Sequence, residues 1–382
     1  MRFLYVAPRY HTNQVPIMRG LKARGHEILF LSQYAGKVED YSDLHPVVIG
    51  YSRLFGALDR CYVKLMKKRD PRAGDRKIKC GFPPFGALKR EIRNFRPDVA
   101  ILRERSVYSA FAYRICRKYR IPSILYNQSP LWENGIKNDF PHRLVRAFTP
   151  KVRMTPVYGI EASGKVKEPG AVFVPFVMEA KLPPEEKLWR RGGKTEIFVI
   201  GKYEKRKNQR MMLEVVGELR KKYPIHLTVA GECSTPAHQE YYASLSAYLD
   251  EHGMKEDVAL LKNLNRQQVE EQYRRSDLFV IPSTLEPASI SQLEAMAFSL
   301  PVVCSDTNGT ACYVENGKNG WQFCDNDKAS LLETVEKILA DPCGMEKMGA
   351  NSYRMICDNC QIEAYLQGIE ELLQRLKEMG TI

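Results

Sequence analysis

The strongest constraint on this chain is an alternation, met twice, between short apolar runs of strand length and longer runs with helical periodicity. Residues 3–6 read as a strand, 16–24 as a helix and 27–31 as a strand, with Gly25 as the helix stop. The order recurs as strand 99–102, helix 108–118 and strand 123–126, bounded by Pro97 and Pro122. A second series follows, with strands at 197–200, 226–230, 258–261, 278–281 and 302–304 separated by helices at 208–222, 237–252, 267–275 and about 290–298. Strands joined through helices make parallel sheets, so the expected fold class is α/β, with two Rossmann-like, doubly wound domains.

A length of 382 residues also exceeds what one core usually serves. The expected division is a first domain at 1–180, a linker at 181–193, a second domain at 194–360 and a C-terminal helix at 361–382 that packs back on the first domain. Lys181-Leu-Pro-Pro-Glu-Glu-Lys187, followed by Arg190-Arg-Gly-Gly193, marks the linker by its proline pair and charge. No run approaches the roughly 18–20 apolar residues of a membrane span. The first apolar run is shorter than a signal-peptide core, so the ten cysteines are expected as reduced thiols in the cytoplasm. Cys357 and Cys360 form the one close pair, with no second pair to complete a zinc site.

The formal charge of +13 is uneven, since 53–105 holds sixteen Lys/Arg against six Asp/Glu. That basic segment suits phosphates on a nucleic acid or an anionic membrane, or is simply a solvated face. Residues 50–96 add Leu54, Phe55, Leu58, Leu65, Phe82 and Phe85, partly at helical spacing, as in an amphipathic surface element.

Chemistry concentrates at two strand ends. Strand 197–200 delivers Gly201, then Lys202 and Lys207 flank the entrance to the next helix, an arrangement that favours phosphate. Strand 278–281 leads through Glu286 and Pro287 into a helix that Ser289 or Ser291 can cap, and backbone N–H groups at Ser289 and Ile290 can bind a diphosphate. Glu294 lies about one turn further in. An ionised carboxylate accepts paired hydrogen bonds from neighbouring hydroxyls, so Glu294 suits a ribose diol and Glu286 a sugar beyond the diphosphate. Asp325 and Asp327 form an Asp-x-Asp, in which Asp327 reads as a helix cap.

The stretch Glu286-Pro-Ala-Ser-Ile-Ser-Gln-Leu-Glu294 resembles the signature of two glutamates separated by seven residues in the retaining glycosyltransferases of family 4. Gly201, Lys202 and Lys207, together with segments 276–283, 301–306 and 315–320, are similar to that family's neighbouring motifs. The resemblance is specific across about 195–325 and weaker before it. It implies a GT-B fold, two Rossmann-like domains facing across a cleft, and a nucleotide-sugar donor, UDP- or GDP-linked, with no metal and no other cofactor. Lys202 and Lys207 would then bind the diphosphate, Glu294 the ribose and Glu286 the transferred sugar. Backbone groups around Lys262, Asn263 and Leu264 would meet the nucleobase.

The sequence departs from the family pattern in places. Lys202 stands where many relatives carry Arg, and Ser289 where Gly is frequent. The first loop lacks paired glycines, leaving Arg9, His11 and Asn13 as candidates for that crevice, while Asn127 and Gln128 stand where relatives often have His. The expected activity is transfer of a sugar to a glycan or lipid-linked acceptor in surface polysaccharide or lipopolysaccharide synthesis. The expected location is cytoplasmic, peripheral to an anionic membrane surface. The alternatives are a GT-B sugar-nucleotide epimerase and a basic, non-enzymatic nucleic-acid-binding protein, though no nucleic-acid motif accompanies the charge.

Overall fold

Alternate residues of each central strand face opposite layers of apolar side chains, and this two-sided burial organises the first half of the chain. The structure, a computed structural model, describes residues 1–36, 41–66, 76–103, 106–128, 140, 143, 147–157 and 171–380. It divides into two compact units, one of Met1–Pro156, Val166–Val177 and Ile362–Ile382, the other of Val157–Lys165 and Met178–Gln361.

The first unit is built on β1 (Arg2–Ala7), β2 (Glu27–Ser32), β3 (Val47–Val48), β4 (Val99–Arg103), β5 (Ser123–Tyr126), β6 (Arg153–Thr155) and β7 (Ala171–Phe173). They form one parallel sheet in the order β3-β2-β1-β4-β5-β6-β7. Phe3, Tyr5, Val99 and Ile101 face one layer, Leu4, Val6, Ala100 and Leu102 the other, the period of two expected of strands covered on both sides. The helix Ile362–Glu378 belongs to the first layer. Its Tyr365, Ile369, Leu372 and Leu376 recur at i, i+4, i+7 and i+11 and are buried there. Tyr5 and Tyr365 share a hydrogen bond of 2.8 Å between their hydroxyls, and at Gly368 a Cβ would lie 2.7 Å from Val174 Cγ2, so a larger residue there requires Val174 to shift.

The second unit contains β8 (Thr195–Ile200), β9 (Ile225–Gly231), β10 (Val258–Lys262), β11 (Leu278–Ile281), β12 (Val302–Ser305) and β13 (Gly320–Phe323). Its parallel order is β10-β9-β8-β11-β12-β13. The chain winds outward from β8 to β10 and then returns to start again at β11. The carboxyl ends of β8 and β11 therefore flank the switch point, where sheets of this kind bind ligands. The α/β class with two doubly wound parallel sheets is as the strand–helix alternation implies.

Segment 181–193 is not a free connector. Leu182 is buried with its carbonyl accepting from Ser299 Oγ at 2.6 Å, and Lys187 is buried with Nζ donating to the Ser276 carbonyl at 2.7 Å. Arg190 N–H donates to Asp277 Oδ1 at 2.9 Å. The proline pair forms one turn, Pro184–Glu186, and of the flanking charges Lys187 is used internally; burial pushes its ammonium down to about 8.

Within the basic segment 53–105, of which 67–75 and 104–105 lie outside the described residues, the helix Arg53–Met66 buries no residue. All ten cysteines are thiols. In the close pair Cys360 is buried, which pushes its thiol up to about 12 and makes it a poor nucleophile. Among the described residues no helix is long and apolar enough to cross a membrane.

Candidate functional site

β8 ends at Ile200, and Gly201 then packs against the aliphatic stem of Lys207, whose carbons would lie 3.1–3.3 Å from a Cβ at that position. The loop folds back on itself. Lys207 N–H donates to the Glu204 carbonyl at 2.9 Å, and the fully buried Gln209 donates through Nε2 to the carbonyl of Lys202 at 2.8 Å. Asn208 takes a left-handed conformation, φ +50°, so the next helix starts at Gln209 and runs only to Leu219. Lys207 is thereby turned inward, whereas Lys202 remains half-exposed and pairs with Glu232 at the end of β9, 3.1 Å away.

After β11, the chain reaches Glu286 through Leu285, a non-glycine residue held at φ +46° with its N–H donating to Thr307 Oγ1 at 3.0 Å. Such backbone conformations persist where surrounding contacts over-determine them. The Glu286 carbonyl accepts from Gly309 N–H at 2.7 Å, and a Cβ on Gly309 would stand 1.8 Å from the Pro287 carbonyl oxygen. Only glycine permits that approach.

Two loops meet at the Glu286 carboxylate. It is 7% exposed, and its Oε2 accepts from Lys207 Nζ at 2.5 Å and Arg206 Nη1 at 2.9 Å. Arg206 also donates through Nη2 to Glu204 Oε1 at 3.0 Å, while its backbone carbonyl accepts from Thr284 N–H at 2.9 Å. Arg206 is thus a tie between the loop after β8 and the loop after β11. Sequence reasoning passed over it because in Lys205-Arg206-Lys207 nothing distinguishes the residue that turns inward from a solvated charge.

The helix after Glu286 is Ile290–Ala297, with Ser289 at the N-cap position. Neither serine caps it in the expected way: Ser289 Oγ is paired with Ser291 Oγ at 2.9 Å and the first turn has no side-chain cap. Its opening N–H groups, including that of Ile290, keep the positive end of the helix dipole at the switch point. A buried network of Gln292, Asn308 and Thr310 pins this turn, with Asn308 Nδ2 donating to Gln292 Oε1 at 2.8 Å and Gln292 Nε2 to the Thr310 carbonyl at 2.8 Å.

Glu294 lies one turn inside, and its Oε2 accepts from the Tyr273 hydroxyl at 3.0 Å. Burial pushes its carboxyl above the ordinary range, against the opposing pull of the Tyr273 hydrogen bond and the Arg266 charge. At the end of β10, Asn263 is left-handed at φ +52° and its Oδ1 accepts from Cys233 N–H at 2.8 Å. Lys262 Nζ lies 4.5 Å from the centre of the Tyr242 ring, and Leu264 is half-buried. Asp327 caps the helix Lys328–Leu339 by accepting from Ser330 N–H at 3.1 Å, whereas Asp325 accepts from Thr284 Oγ1 at 2.6 Å and so braces the Glu286 loop.

In the first unit Arg9, His11 and Asn13 follow β1, and Asn127 and Gln128 follow β5, all at the carboxyl edge of its sheet. His11 has a local duty: its Nδ1 accepts from Asn13 N–H at 3.5 Å and its N–H donates to Gln14 Oε1 at 3.0 Å, closing the turn Thr12–Gln14. Asn13 is buried, Asn127 N–H donates to the Met154 carbonyl at 3.2 Å, and Gln128 Oε1 accepts from Arg103. The structure thus brings Lys207 and Glu286 into contact, leaves Lys202 and 262–264 at neighbouring strand ends, and places Glu294 one turn inside the helix Ile290–Ala297.

Residues 185–355 match the family model of glycosyl transferases group 1. That span covers β8 to β13 and every candidate site residue of the second unit. A glycogen synthase of Mycobacterium tuberculosis is 27% identical over 41% of this chain and 37% of its own length. A GDP-mannose-dependent alpha-(1-6)-phosphatidylinositol monomannoside mannosyltransferase of Mycolicibacterium smegmatis is 25% identical over 49% of the chain and 50% of its own length. The chain therefore spans half or less of the length of these curated relatives. Among solved structures, Anabaena HepE in complex with UDP superimposes with a TM-score of 0.71 at 13% identity, over 98% of this chain and all of that one. The likeness to such glycosyltransferase structures identifies the fold as GT-B.

Proposed function

We propose that the chain is a glycosyltransferase that moves a sugar, with retention of configuration, from a UDP- or GDP-linked donor to a glycan or lipid-linked acceptor of a surface polysaccharide. The observation that carries this reading is Glu286, a buried carboxylate held by Lys207 and Arg206 beside the uncapped start of Ile290–Ala297, at the switch point of the second sheet. Cations and helix N–H groups suit the diphosphate end of a nucleotide sugar; carboxylates suit its hydroxyls. The UDP held by HepE and the GDP-mannose in the mannosyltransferase's name belong to this donor class.

The roles follow from charge. Lys207, with Lys202 and the N–H groups of Ser289 and Ile290, stabilises the leaving diphosphate, while Glu294 holds the ribose diol. Breakage of the bond between the anomeric carbon and the phosphate oxygen sends its electron pair to the diphosphate. Glu286 then faces the positive charge on the sugar ring. The acceptor oxygen bonds that carbon on the same face, and its proton passes to the departing phosphate oxygen, so no separate base is needed. The reaction needs no metal or added cofactor, and the enzyme works peripherally on the cytoplasmic face of a membrane.

Thermal stabilisation by a panel of UDP- and GDP-sugars, followed by transfer assays with lipid-linked acceptors, tests the reading. Glu286→Gln is expected to lower turnover by about 10²–10³-fold with the fold intact. Near-normal turnover in that variant would sink the assignment.

A further inference from the structure

The first unit carries an apolar face that the proposed chemistry does not use. Along the helix Arg53–Met66, Leu54, Leu58, Cys61 and Leu65 recur at i, i+4, i+7 and i+11, one stripe of a helix, yet the three leucines are 74%, 62% and 78% exposed. Arg53, Arg60 and Lys64 form the adjoining row, also exposed. A leucine stripe edged by cations is the composition of a helix that lies in a headgroup interface.

A ladder of rings leads from this helix into the body of the unit. Ring centres are 6.0 Å apart for Phe55 and Phe82, 5.6 Å for Phe82 and Phe111, and 5.9 Å for Phe111 and Phe85. The ladder ends at a groove of about 780 Å³ between the helices Phe85–Phe95 and Val107–Lys118, walled by Phe85, Phe111 and Phe148. The charges on its wall, Lys89, Arg114, Arg117 and Lys118, are all positive.

We propose that this face seats the first unit on an anionic bilayer, with the leucine stripe entering the acyl boundary and the groove taking one acyl chain of a phospholipid whose phosphate meets the four cations. Charge complementarity selects the occupant. A second copy of the chain would bring the same cations against these, and a neutral apolar partner would desolvate them without compensation. A phospholipid supplies hydrocarbon and anion together. The inference rests on the peripheral membrane location proposed above and on no other part of that reading, because its site and its readout involve neither Glu286 nor a donor.

The test is sedimentation of the full chain with vesicles of phosphatidylglycerol in phosphatidylcholine, against pure phosphatidylcholine, at about 0.1 M salt. Binding is expected to the anionic vesicles only, and to fall roughly tenfold or more in the double variant Arg114→Glu with Arg117→Glu, and in Leu58→Gln with Leu65→Gln. Melting temperatures near the parent's establish that both variants are folded. Phe85→Trp should add fluorescence that acyl-brominated phosphatidylglycerol quenches, beyond the quenching of the parent's own tryptophans. Equal binding to neutral vesicles, undiminished binding by both double variants, or no added quenching would overturn the proposal. So would a dimer that the charge reversals break while vesicle binding persists.

Discussion

At Glu286 two cations converge on one carboxylate oxygen, so the residue balances charge in the fold as well as taking the sugar-facing role proposed for it. Glu286→Gln leaves Lys207 and Arg206 facing a neutral amide. Because Arg206 keeps 40% of its side-chain surface in water, the cost is expected to be about 1–2 kcal/mol, below that of a fully buried pair. Added nucleoside diphosphate should recover part of this deficit, since phosphate oxygens replace the missing charge. Melting curves of parent and variant, with and without UDP or GDP, check it; an equal deficit in both conditions would remove the diphosphate from this site. Glu294 allows a second prediction. Burial raises its carboxyl, so from the ordinary carboxylate range up to that raised value the folded chain holds more proton than the unfolded one, and stability falls as pH rises through the window. Glu294→Gln should flatten that slope in denaturant titrations between pH 4 and 8. If Glu294 holds the ribose as proposed, the variant should also weaken nucleotide binding by roughly tenfold, about 1.4 kcal/mol, through loss of that carboxylate acceptor. An unchanged slope would mean that Glu294 does not carry the pH dependence.

At the scale of elements, position of the site depends on loops more than on the strands that deliver them. Gly309 is the tightest case, because a methyl group there meets the Pro287 carbonyl. Gly309→Ala should destabilise by roughly 1–3 kcal/mol and, if Glu286 acts as proposed, lower transfer by displacing its loop. Gly56→Ala is the matched control, with its nearest neighbour, Arg60, at 3.8 Å and a helical backbone, and should stabilise by about 0.5–1 kcal/mol. Denaturant midpoints of both variants decide whether close approach or glycine's flexibility governs position 309. The same contrast explains what the sequence revealed. Strands buried on both faces announce themselves as apolar runs, and the spacing of Glu286 and Glu294 across a strand-to-helix junction was legible. The three-residue strands β6 and β7 are too short to show a period. Arg206, Gly309 and Asp325 owe their places to contacts 23–80 positions away, and no local pattern encodes these. The helix Pro342–Asn359 did leave a signal: Asp341 caps it by accepting from Gly344 N–H at 2.9 Å, with proline following.

At the scale of the molecule, the first unit is discontinuous in sequence, since its core is completed by a helix that follows the whole second unit. Proline, charge and an expected linker at 181–193 suggest a simple division into halves, but they cannot reveal this. What can is the apolar stripe of 365, 369, 372 and 376, which has no partner in its own neighbourhood of sequence and needs the face of β1 and β4. A chain ending at Gln361 would expose that face, including Tyr5 and Val174, and lose several buried side chains worth about 2–5 kcal/mol each. Such a loss is comparable with the whole stability of a domain of this size. The truncated chain is therefore expected to keep a folded second unit beside a collapsed first one. A fragment of residues 178–361 should by contrast fold alone, because its sheet and the core around Ile197, Leu213 and Val280 lie within it. If the donor site is as proposed, that fragment should also be stabilised by nucleoside diphosphate to nearly the same extent as the full chain, without transferring sugar. Limited proteolysis of the truncated chain, and nucleotide-dependent melting of the fragment, separate the two claims. Protection of residues 1–156 in the truncated chain would refute the dependence on the last helix. A folded fragment indifferent to nucleotide would show instead that the donor requires more than the loops after β8 and β11.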